Sequence, residues 1–170
     1  MLDFFKSLIK LNKTLLLLSK IENGQYQPEN EINFTPLIKD SIQLHQEMYE
    51  HKNLVVSYEE DGNFIARVDE QMAAVLISNL LKNAFLYTPN NKEICISVSN
   101  KGFSIFNSAD APLDKTKVFR RFYQPMGRRE GSTGLGLSLI YSVCISNNLE
   151  IDYDYKEEKH IFTVNLKKSK

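Results

Sequence analysis

The sequence predicts an α+β fold, a two-layer sandwich in which helices cover one face of a mixed, mostly antiparallel sheet. Clean apolar–polar alternation over 93–100, followed by a Lys101-Gly102 turn, predicts a strand that pairs with the next strand. Strand-like and helix-like segments do not alternate strictly along the chain, which argues against a doubly wound parallel sheet. The 170 residues, 42% apolar and 25% charged, are typical of one globular domain with a short appendage.

An N-terminal helix with a broad apolar stripe is predicted for residues 1–24. The stripe residues, mostly three or four apart, are Phe4, Phe5, Leu8, Ile9, Leu11, Leu15, Leu16, Leu18 and Ile21. A stripe of this width is typical of a bundle helix, and Gly24 is a suitable C-terminal stop. We therefore expect a bundle helix at 1–24 and the main domain at 25–170. The alternative is that this helix belongs to the core of the main domain.

The other elements follow from local signals. Helix starts are predicted at Thr35-Pro36, with Thr35 as N-cap and Pro36 as the first helical residue, and after Asp69. An Asp61-Gly62 turn predicts a hairpin of strands 54–59 and 63–68. The remaining predicted elements are a short strand at 31–34, helices at 35–51 and 69–87, strands at 93–100 and 103–107, a short helix at 114–122, a helix from the glycine-rich segment to about 147, and a hairpin of strands 149–155 and 161–166.

Charge and spacing argue against several classes of function. Basic and acidic residues are equal in number, 21 each, so there is no basic excess for nucleic acid or an anionic membrane surface. The longest purely apolar run, 15–18, is far shorter than the roughly 20 residues of a membrane-spanning helix. Cys95 and Cys144 have no metal-type spacing and are interpreted as buried free thiols of a reducing compartment.

A glycine-rich segment and a pair of asparagines carry the main functional signal. The segment, Gly131-Ser132-Thr133-Gly134-Leu135-Gly136-Leu137, opens into an apolar helix, whose bare N–H groups and positive end attract an anion such as phosphate. About fifty residues earlier, Asn79, Asn83 and Tyr87 follow one edge of a helix. Amide oxygens suit a magnesium ion on the phosphates of ATP, so the two motifs together predict an ATP-binding domain. From spacing alone, the alternative that these asparagines form hydrogen bonds with neighbouring backbone is favoured.

Asn107 is a candidate for contact with a base. It ends a strand whose inward residues are Phe103 and Ile105, so its amide is expected at the mouth of an apolar pocket. A turn-initiating asparagine is the alternative.

The segment between this strand and the last helix has the composition of a mobile lid at 123–133. Phe119 and Phe122, three residues apart, are predicted to be core residues that pin the loop. The nearby arginines either form a solvated rim or contact phosphate oxygens; they are Arg120, Arg121, Arg128 and Arg129.

These residues together resemble the catalytic ATP-binding domain of sensor histidine kinases, within the Bergerat, or gyrase-like, ATPase superfamily. Nearly the whole chain takes part in the resemblance. The matching segments are 15–24 for the end of the second dimerisation and phosphotransfer helix, 72–89 for the asparagine box, 107–111 for the first glycine box, Phe119 and Phe122 for the phenylalanine box, and 131–139 for the second glycine box.

The resemblance implies ATP and Mg²⁺ as ligands. It implies that Asn83, with Asn79 beside it, ligates Mg²⁺. It also implies that Tyr87 lines the adenine and ribose side and that Asn107 accepts a hydrogen bond from the adenine amino group. The phosphates are assigned to the lid and the second glycine box, namely Arg128, Arg129, Ser132, Thr133, Gly134, Leu135, Gly136 and Leu137. No residue of the chain is assigned a catalytic role, because no histidine matches the phosphoacceptor motif.

The chain departs from the family pattern at the first glycine box. The usual Asp-x-Gly-x-Gly reads Asn107-Ser108-Ala109-Asp110-Ala111. A neutral amide accepts a hydrogen bond less strongly than a carboxylate, and alanines make a stiffer turn than glycines. Leu86 stands where a basic residue is expected, so Lys82 or a lid arginine would have to replace that phosphate contact.

The implied function is that of a two-component protein-histidine kinase domain that transfers the γ-phosphoryl group to a histidine outside these residues. The implied partners are the histidine-bearing dimerisation helix of the full-length protein and a response regulator. A homodimer is compatible with this, and nucleic acid is not expected. The expected location is cytoplasmic, as part of a membrane-anchored sensor. Two alternatives remain: a degenerate pseudokinase that acts as a binding or regulatory module, and an unrelated helical adaptor.

Overall fold

The computed structural model describes residues 2–28, 30–125 and 132–167. The helices are α1 (Leu2–Glu22), α2 (Phe34–Met48), α3 (Glu70–Tyr87) and α4 (Gly136–Ser146), with a short 3₁₀ helix at Glu50–Lys52. The strands are β1 (Asn30–Asn33), β2 (Val55–Asp61), β3 (Ile65–Val68), β4 (Glu93–Ser99), β5 (Gly102–Ser108), β6 (Leu149–Lys156) and β7 (Lys159–Leu166).

Five of the strands form one sheet in the order β2-β4-β5-β7-β6. β2 runs parallel to β4, whereas β4, β5, β7 and β6 pair in antiparallel fashion. The predicted α+β class and the mixed, mostly antiparallel sheet are therefore confirmed. The predicted β4–β5 and β6–β7 hairpins are also present. β1 and β3 form a separate antiparallel pair.

The period-two pattern decides which face of the sheet is buried. Ile94, Ile96 and Val98 of β4 are fully buried, while Cys95 and Ser97 between them are half-buried. The helical layer packs on this face, with α3 at its centre; the buried residues of α3 are Met72, Ala73, Leu76, Ile77, Leu80, Leu81, Ala84 and Phe85. Burial of each Leu or Ile side chain contributes roughly 1.5–3 kcal/mol, which holds α3 in a fixed rotation on the sheet.

The predicted start of α3 is confirmed. The Asp69 carboxylate accepts a hydrogen bond from the Met72 N–H at 3.0 Å, as expected of an N-cap. The helix ends at Tyr87, before Thr88-Pro89.

The predicted hairpin across Asp61-Gly62 is wrong. β2 pairs with β4 and β3 pairs with β1, so the chain crosses from one sheet to the other after Gly62. The cause is Phe64, which is fully buried and packs its ring 5.1 Å from Phe34 and 5.9 Å from Phe103. A turn signal specifies the local backbone, whereas burial of this aromatic residue decides the strand pairing.

Two smaller predictions are also wrong. α2 is capped by Asn33, whose Oδ1 accepts a hydrogen bond from the Thr35 N–H at 3.0 Å, so Thr35 and Pro36 lie within the first helical turn. Asparagine is the stronger cap of the two. Residues 114–122 form hydrogen-bonded turns rather than a helix, and Phe122 with φ +62° prevents continuation.

The N-terminal helix α1 is confirmed and packs against α4. Leu18 and Ile21, near its C-terminal end, are buried, while Leu8, Ile9 and Leu16 each remain about half exposed. α1 therefore contributes to the core at one end and leaves an apolar face outside it. No described helix is both long enough and apolar enough to cross a membrane.

Candidate nucleotide-binding site

A cavity of about 720 Å³ lies beside α3, between the start of α4 and the ends of β5 and β7. Its size is in the range of small-molecule sites. The predicted site residues that line it are Asn79, Asn83, Tyr87, Asn107, Ser132, Thr133, Gly134, Gly136 and Leu137. Leu135 is instead fully buried in the core. Arg128 and Arg129 lie outside the described residues.

α3 presents Asn79, Asn83 and Tyr87 to the cavity because they recur every four residues along one edge of the helix. The Asn79 Nδ2 donates to the Val75 carbonyl at 2.8 Å, so its Oδ1 remains an acceptor. The Asn83 amide makes no hydrogen bond to a described residue. Of the two alternatives that spacing left open, Asn79 shows the backbone bond and Asn83 does not.

The first residue of α4 lies close to these amides. A Cβ added to Gly136 would be 3.7 Å from the Asn83 Oδ1 and Nδ2 atoms and 4.0 Å from the Asn79 Oδ1. The N-cap residue, Leu135, supplies no side-chain hydrogen bond to the helix. Because the first N–H groups of a helix have no intrahelical partner, this uncapped end attracts an anion into the same space that the amides face.

Gly134 and Phe122 hold the approach to α4. Gly134 has φ +68°, and a Cβ there would lie 2.8 Å from the Phe122 Cα and carbonyl carbon. The Phe122 N–H donates to the Gly134 carbonyl at 2.9 Å. The backbone of Phe122 thus contacts the residue just before α4, and the Phe119 ring stacks on Tyr141 of α4 at 5.5 Å. The prediction that Phe122 is a core residue is wrong, since its side chain is exposed.

At the other end of the cavity, Asn107 is only 3% exposed, and its side-chain amide makes no hydrogen bond to any residue in the described ranges. His160 lies directly opposite on β7 and lines the same cavity. Burial lowers the pKa of His160 below its usual value, so the ring is neutral at pH 7. His160 could not be predicted as a site residue from local patterns, because only the β5–β7 register brings it next to Asn107.

The described flanks of the lid are tied to α3. The Tyr87 hydroxyl and the Ser132 Oγ are 3.1 Å apart, and the Gln124 Nε2 donates to the Ser132 carbonyl at 2.8 Å. Of the arginines near this loop, Arg121 forms a salt bridge with Glu22 at the end of α1. It therefore acts as a link between segments rather than as a group facing the cavity.

Two lysines make one side of the cavity electropositive. Lys82 of α3 and Lys10 of α1 both line it, and neither forms a salt bridge with a described carboxylate. Burial, followed by the neighbouring charge of Lys10, lowers the pKa of Lys82. No local signal places Lys10 beside the cavity, because an amphipathic pattern does not show where a helix docks.

A buried lysine holds the end of α3. The Lys52 Nζ donates to the carbonyls of Phe85, Leu86 and Thr88 at 2.6, 3.0 and 2.5 Å. A cation at a helix C-terminus is favoured by the helix dipole. This contact fixes the last turn of α3, which carries Tyr87, and nothing in the local sequence distinguishes Lys52 from a surface lysine.

The described residues contain no group of three or more His, Cys, Asp or Glu side chains that would hold a metal ion. The amide oxygens of Asn79 and Asn83 are therefore the relevant oxygen donors near α4, and they suit Mg²⁺ that is also held by phosphates. Both cysteines are free, as predicted. Cys144 is buried, which raises the pKa of its thiol to about 12, whereas Cys95 is only half-buried.

Comparison with known proteins identifies the family. Residues 68–170 match the family described as "Histidine kinase-, DNA gyrase B-, and HSP90-like ATPase". This span is more than half of the chain and contains every predicted site residue.

Two curated relatives are named as sensors. The chain is 31% identical over 149 residues to the heme sensor protein HssS of Staphylococcus epidermidis, covering 84% of the chain and 33% of HssS. It is 24% identical over 144 residues to the sensor-like histidine kinase SenX3 of Mycolicibacterium smegmatis, covering 79% of the chain and 38% of SenX3. The chain thus spans about a third of the length of these relatives.

Solved structures share the fold. The catalytic domain of histidine kinase ThkA is 25% identical, with a TM-score of 0.65 over 81% of the chain and 95% of that domain. Full-length ShkA in complex with AMPPNP is 15% identical, with a TM-score of 0.78 over 94% of the chain and 35% of ShkA. The family match shows that the chain belongs to the histidine kinase-, DNA gyrase B- and HSP90-like ATPase family.

Proposed function

We propose that this ATPase-family domain binds Mg-ATP and delivers the γ-phosphoryl group to a histidine outside the 170 residues, as the catalytic domain of a two-component sensor histidine kinase. The observation that carries the proposal is that Gly136, the first residue of α4, faces the Asn83 amide so closely that an added Cβ would lie 3.7 Å from it. It brings the uncapped end of α4 and the oxygens of α3 to one cavity, which is what a metal-bound polyphosphate requires.

In the proposed complex, the phosphates lie at the start of α4. The backbone of the loop from Ser132 to Leu137 supplies N–H groups, and Thr133, Gly134 and Leu135 act through their main chain. Asn83, with Asn79 beside it, would ligate Mg²⁺, which neutralises phosphate charge during transfer. Arg128 and Arg129 of the lid are proposed as further phosphate contacts.

Lys82 replaces the cation that is missing at Leu86. It lines the cavity one helical turn from Leu86, and burial leaves its ammonium poorly hydrated. A poorly hydrated cation without a described carboxylate partner is stabilised when a phosphate binds.

At the base end, Asn107 would contact the 6-position of the adenine ring, and Tyr87 would line the ribose side. The Asn107 amide faces the cavity without a described hydrogen-bond partner, and a bound base would supply one.

The chain's own part in the reaction is positioning. Phosphoryl transfer depends mainly on alignment of the reactants and neutralisation of charge. His45 does not line the cavity, and its Nδ1 lies 2.7 Å from the Ser41 carbonyl, so it is not placed to accept a phosphoryl group. His51 does not line the cavity either, and His160 lines it at the base end, opposite Asn107, rather than at the start of α4. We therefore propose that the acceptor histidine comes from another segment.

Calorimetric titration of the purified chain with ATP and Mg²⁺ tests the binding step. We expect saturable binding with a dissociation constant in the millimolar range or tighter, weakened at least about tenfold by Asn83→Ala, a loss of about 1.4 kcal/mol. Asn90→Ala, in an exposed turn outside the cavity, is the matched control and leaves binding unchanged. Equal effects of the two substitutions would contradict the proposed role of Asn83.

A pseudokinase remains the second candidate, because of the altered first glycine box. Ala109 replaces a glycine, and its backbone is held on both sides: its N–H donates to the Glu158 carbonyl at 2.8 Å, and its carbonyl accepts from the Tyr155 hydroxyl at 3.0 Å. Such a fixed turn adapts little to a ligand. Absence of measurable heat at millimolar ATP would favour this candidate.

The transfer step requires a separate test. We propose that residues 1–24 are the end of the dimerisation helix and that the full-length protein dimerises. We further propose that it is a membrane-anchored sensor with this domain in the cytoplasm, and that a response regulator receives the phosphate. Radiolabel from γ-labelled ATP should appear only on an added histidine-bearing helix. Label on this chain alone would contradict the proposal.

A further inference from the structure

We infer that the base end of the cavity accepts 6-oxopurine nucleoside triphosphates, such as ITP, as well as ATP. This inference rests on the proposed nucleotide function and concerns the choice of base. It comes from the facing pair Asn107 and His160, two uncharged side chains that line the cavity from adjacent strands.

Asn107 can pair with either kind of base. Its side chain carries an acceptor, Oδ1, and a donor, Nδ2, whereas a carboxylate only accepts. Rotation of the amide about its last side-chain bond presents Oδ1 to a 6-amino group or Nδ2 to a 6-oxo group. Neither atom makes a hydrogen bond to a residue in the described parts of the chain, so this rotation breaks no such bond.

The hydrogen bonds of His160 determine which ring nitrogen carries the proton. The Tyr153 hydroxyl oxygen accepts a hydrogen bond from the Leu113 N–H at 2.8 Å and lies 2.9 Å from the His160 Nδ1. If Nδ1 carried the proton, the Tyr153 hydroxyl proton would have no acceptor among the described residues, so the structure favours the tautomer in which the hydroxyl donates to Nδ1 and the neutral ring carries its proton on Nε2. Nε2–H is thus a second donor at this end of the cavity, and no described residue accepts from it.

These donors change the discrimination between bases. A carboxylate opposite a 6-oxo group places two acceptors together, and a buried unpaired polar group costs about 1–3 kcal/mol or more. Sites that read a single hydrogen-bonding group reject the wrong analogue by factors of about 10⁴. With Asn107 and His160, a 6-oxo group finds donors, so this source of rejection is absent.

One acidic residue qualifies this expectation. Asp110 is the carboxylate among the described residues that line the cavity, and it is exposed at the rim, shared with a neighbouring shallow groove. A hydrated carboxylate at the rim is a weaker determinant than a buried amide facing the base. If Asp110 nevertheless reads the 6-position, ITP will be rejected and the inference is wrong.

The test compares competing nucleotides on the wild-type chain and on Asn107→Asp, in the presence of Mg²⁺. We expect ITP to bind the wild type within about tenfold of ATP, and the ATP-to-ITP preference to rise by at least about thirtyfold in Asn107→Asp. Ser104→Asp is the matched control, because it adds the same charge on the opposite face of β5 and should leave the preference unchanged. GTP then shows whether the cavity also has room for a 2-amino group.

If Asn107→Asp does not fold, as shown by its thermal melt, Asn107→Leu provides the second test. Loss of both hydrogen bonds should weaken ATP and ITP by similar factors. Three results would each overturn the inference. The wild type could bind ITP more than about a hundredfold more weakly than ATP, Asn107→Asp could leave the ATP-to-ITP preference unchanged, or Asn107→Leu could weaken the binding of ATP alone. Binding of neither ATP nor ITP to the wild type would instead overturn the proposed function itself, and this inference with it.

Discussion

The two ends of the cavity are built in different ways. At the phosphate end, the uncapped start of α4 faces amides from a single helix, and the groups of each element lie within a few residues of one another. At the base end, Asn107 and His160 come from two strands and meet only through their register. The first end therefore depends on backbone geometry and the second on the identity of side chains, so substitutions should affect them differently.

The largest effect is expected from Gly134→Ala at the phosphate end. The new Cβ would lie 2.8 Å from two backbone atoms of Phe122, in a residue with φ +68°. Left-handed strain costs about 1 kcal/mol, and overpacking against backbone adds roughly 1–3 kcal/mol. We expect a loss of about 3 kcal/mol in the free energy of unfolding, measured with urea, together with weaker ATP binding.

Gly24→Ala is the matched control, because Gly24 has the same φ of +68° but its Cβ would meet only the Gln27 Nε2 at 3.7 Å. It should cost about 1 kcal/mol and leave ATP affinity unchanged. If both variants lose the same stability, the close approach of Phe122 has no energetic consequence and the loop is not held as described.

This division of the cavity also explains what the sequence predicted. The phosphate end could be predicted from the sequence because helical spacing places Asn79 and Asn83 together and because a glycine-rich segment opens the next helix. The five-stranded sheet could be predicted in part, since its hairpins have clear turn signals and period-two alternation. The capping of α3 by Asp69 followed from the same kind of local rule.

The rest depended on contacts between distant segments. Because Phe64 is buried, β3 pairs with β1 and not with β2, and no local sequence signal predicts this pairing. Strand register brings His160 to the cavity, and the docking of α1 brings Lys10 there. Lys52 contacts the end of α3 through a buried cluster of carbonyl groups. In each case the residue type is ordinary and its partner is far along the chain.

Gly136→Ala should separate binding from stability at the phosphate end. Its Cβ would lie 3.7 Å from the nearest atoms, an ordinary contact, so the fold tolerates it and the helix gains up to about 1 kcal/mol in propensity. The same methyl group occupies space between α4 and Asn83 that a phosphate needs. We expect unchanged or higher stability to urea with ATP affinity reduced about tenfold in calorimetry. Undiminished ATP affinity would show that the phosphates do not approach Gly136.

The smallest effect is expected at the base end, in the pH dependence of stability. Burial holds the pKa of His160 below the usual histidine value of 6.5, so below that pH the unfolded chain binds more protons than the folded one. The contribution of the neutral ring is fully present above pH 6.5 and is lost as the pH falls toward the folded pKa. Asp114 has its pKa lowered to about 2 by bonds from Thr116 and Lys117, so it stays ionised across this window. The urea concentration at the unfolding midpoint should therefore decrease when the pH is lowered from 7.5 to 5.5. The decrease should be smaller in His160→Gln, because glutamine cannot take up a proton. An identical decrease in both proteins would mean that His160 takes up a proton equally well in the folded and the unfolded chain, so that its ring is not buried at the base end as described.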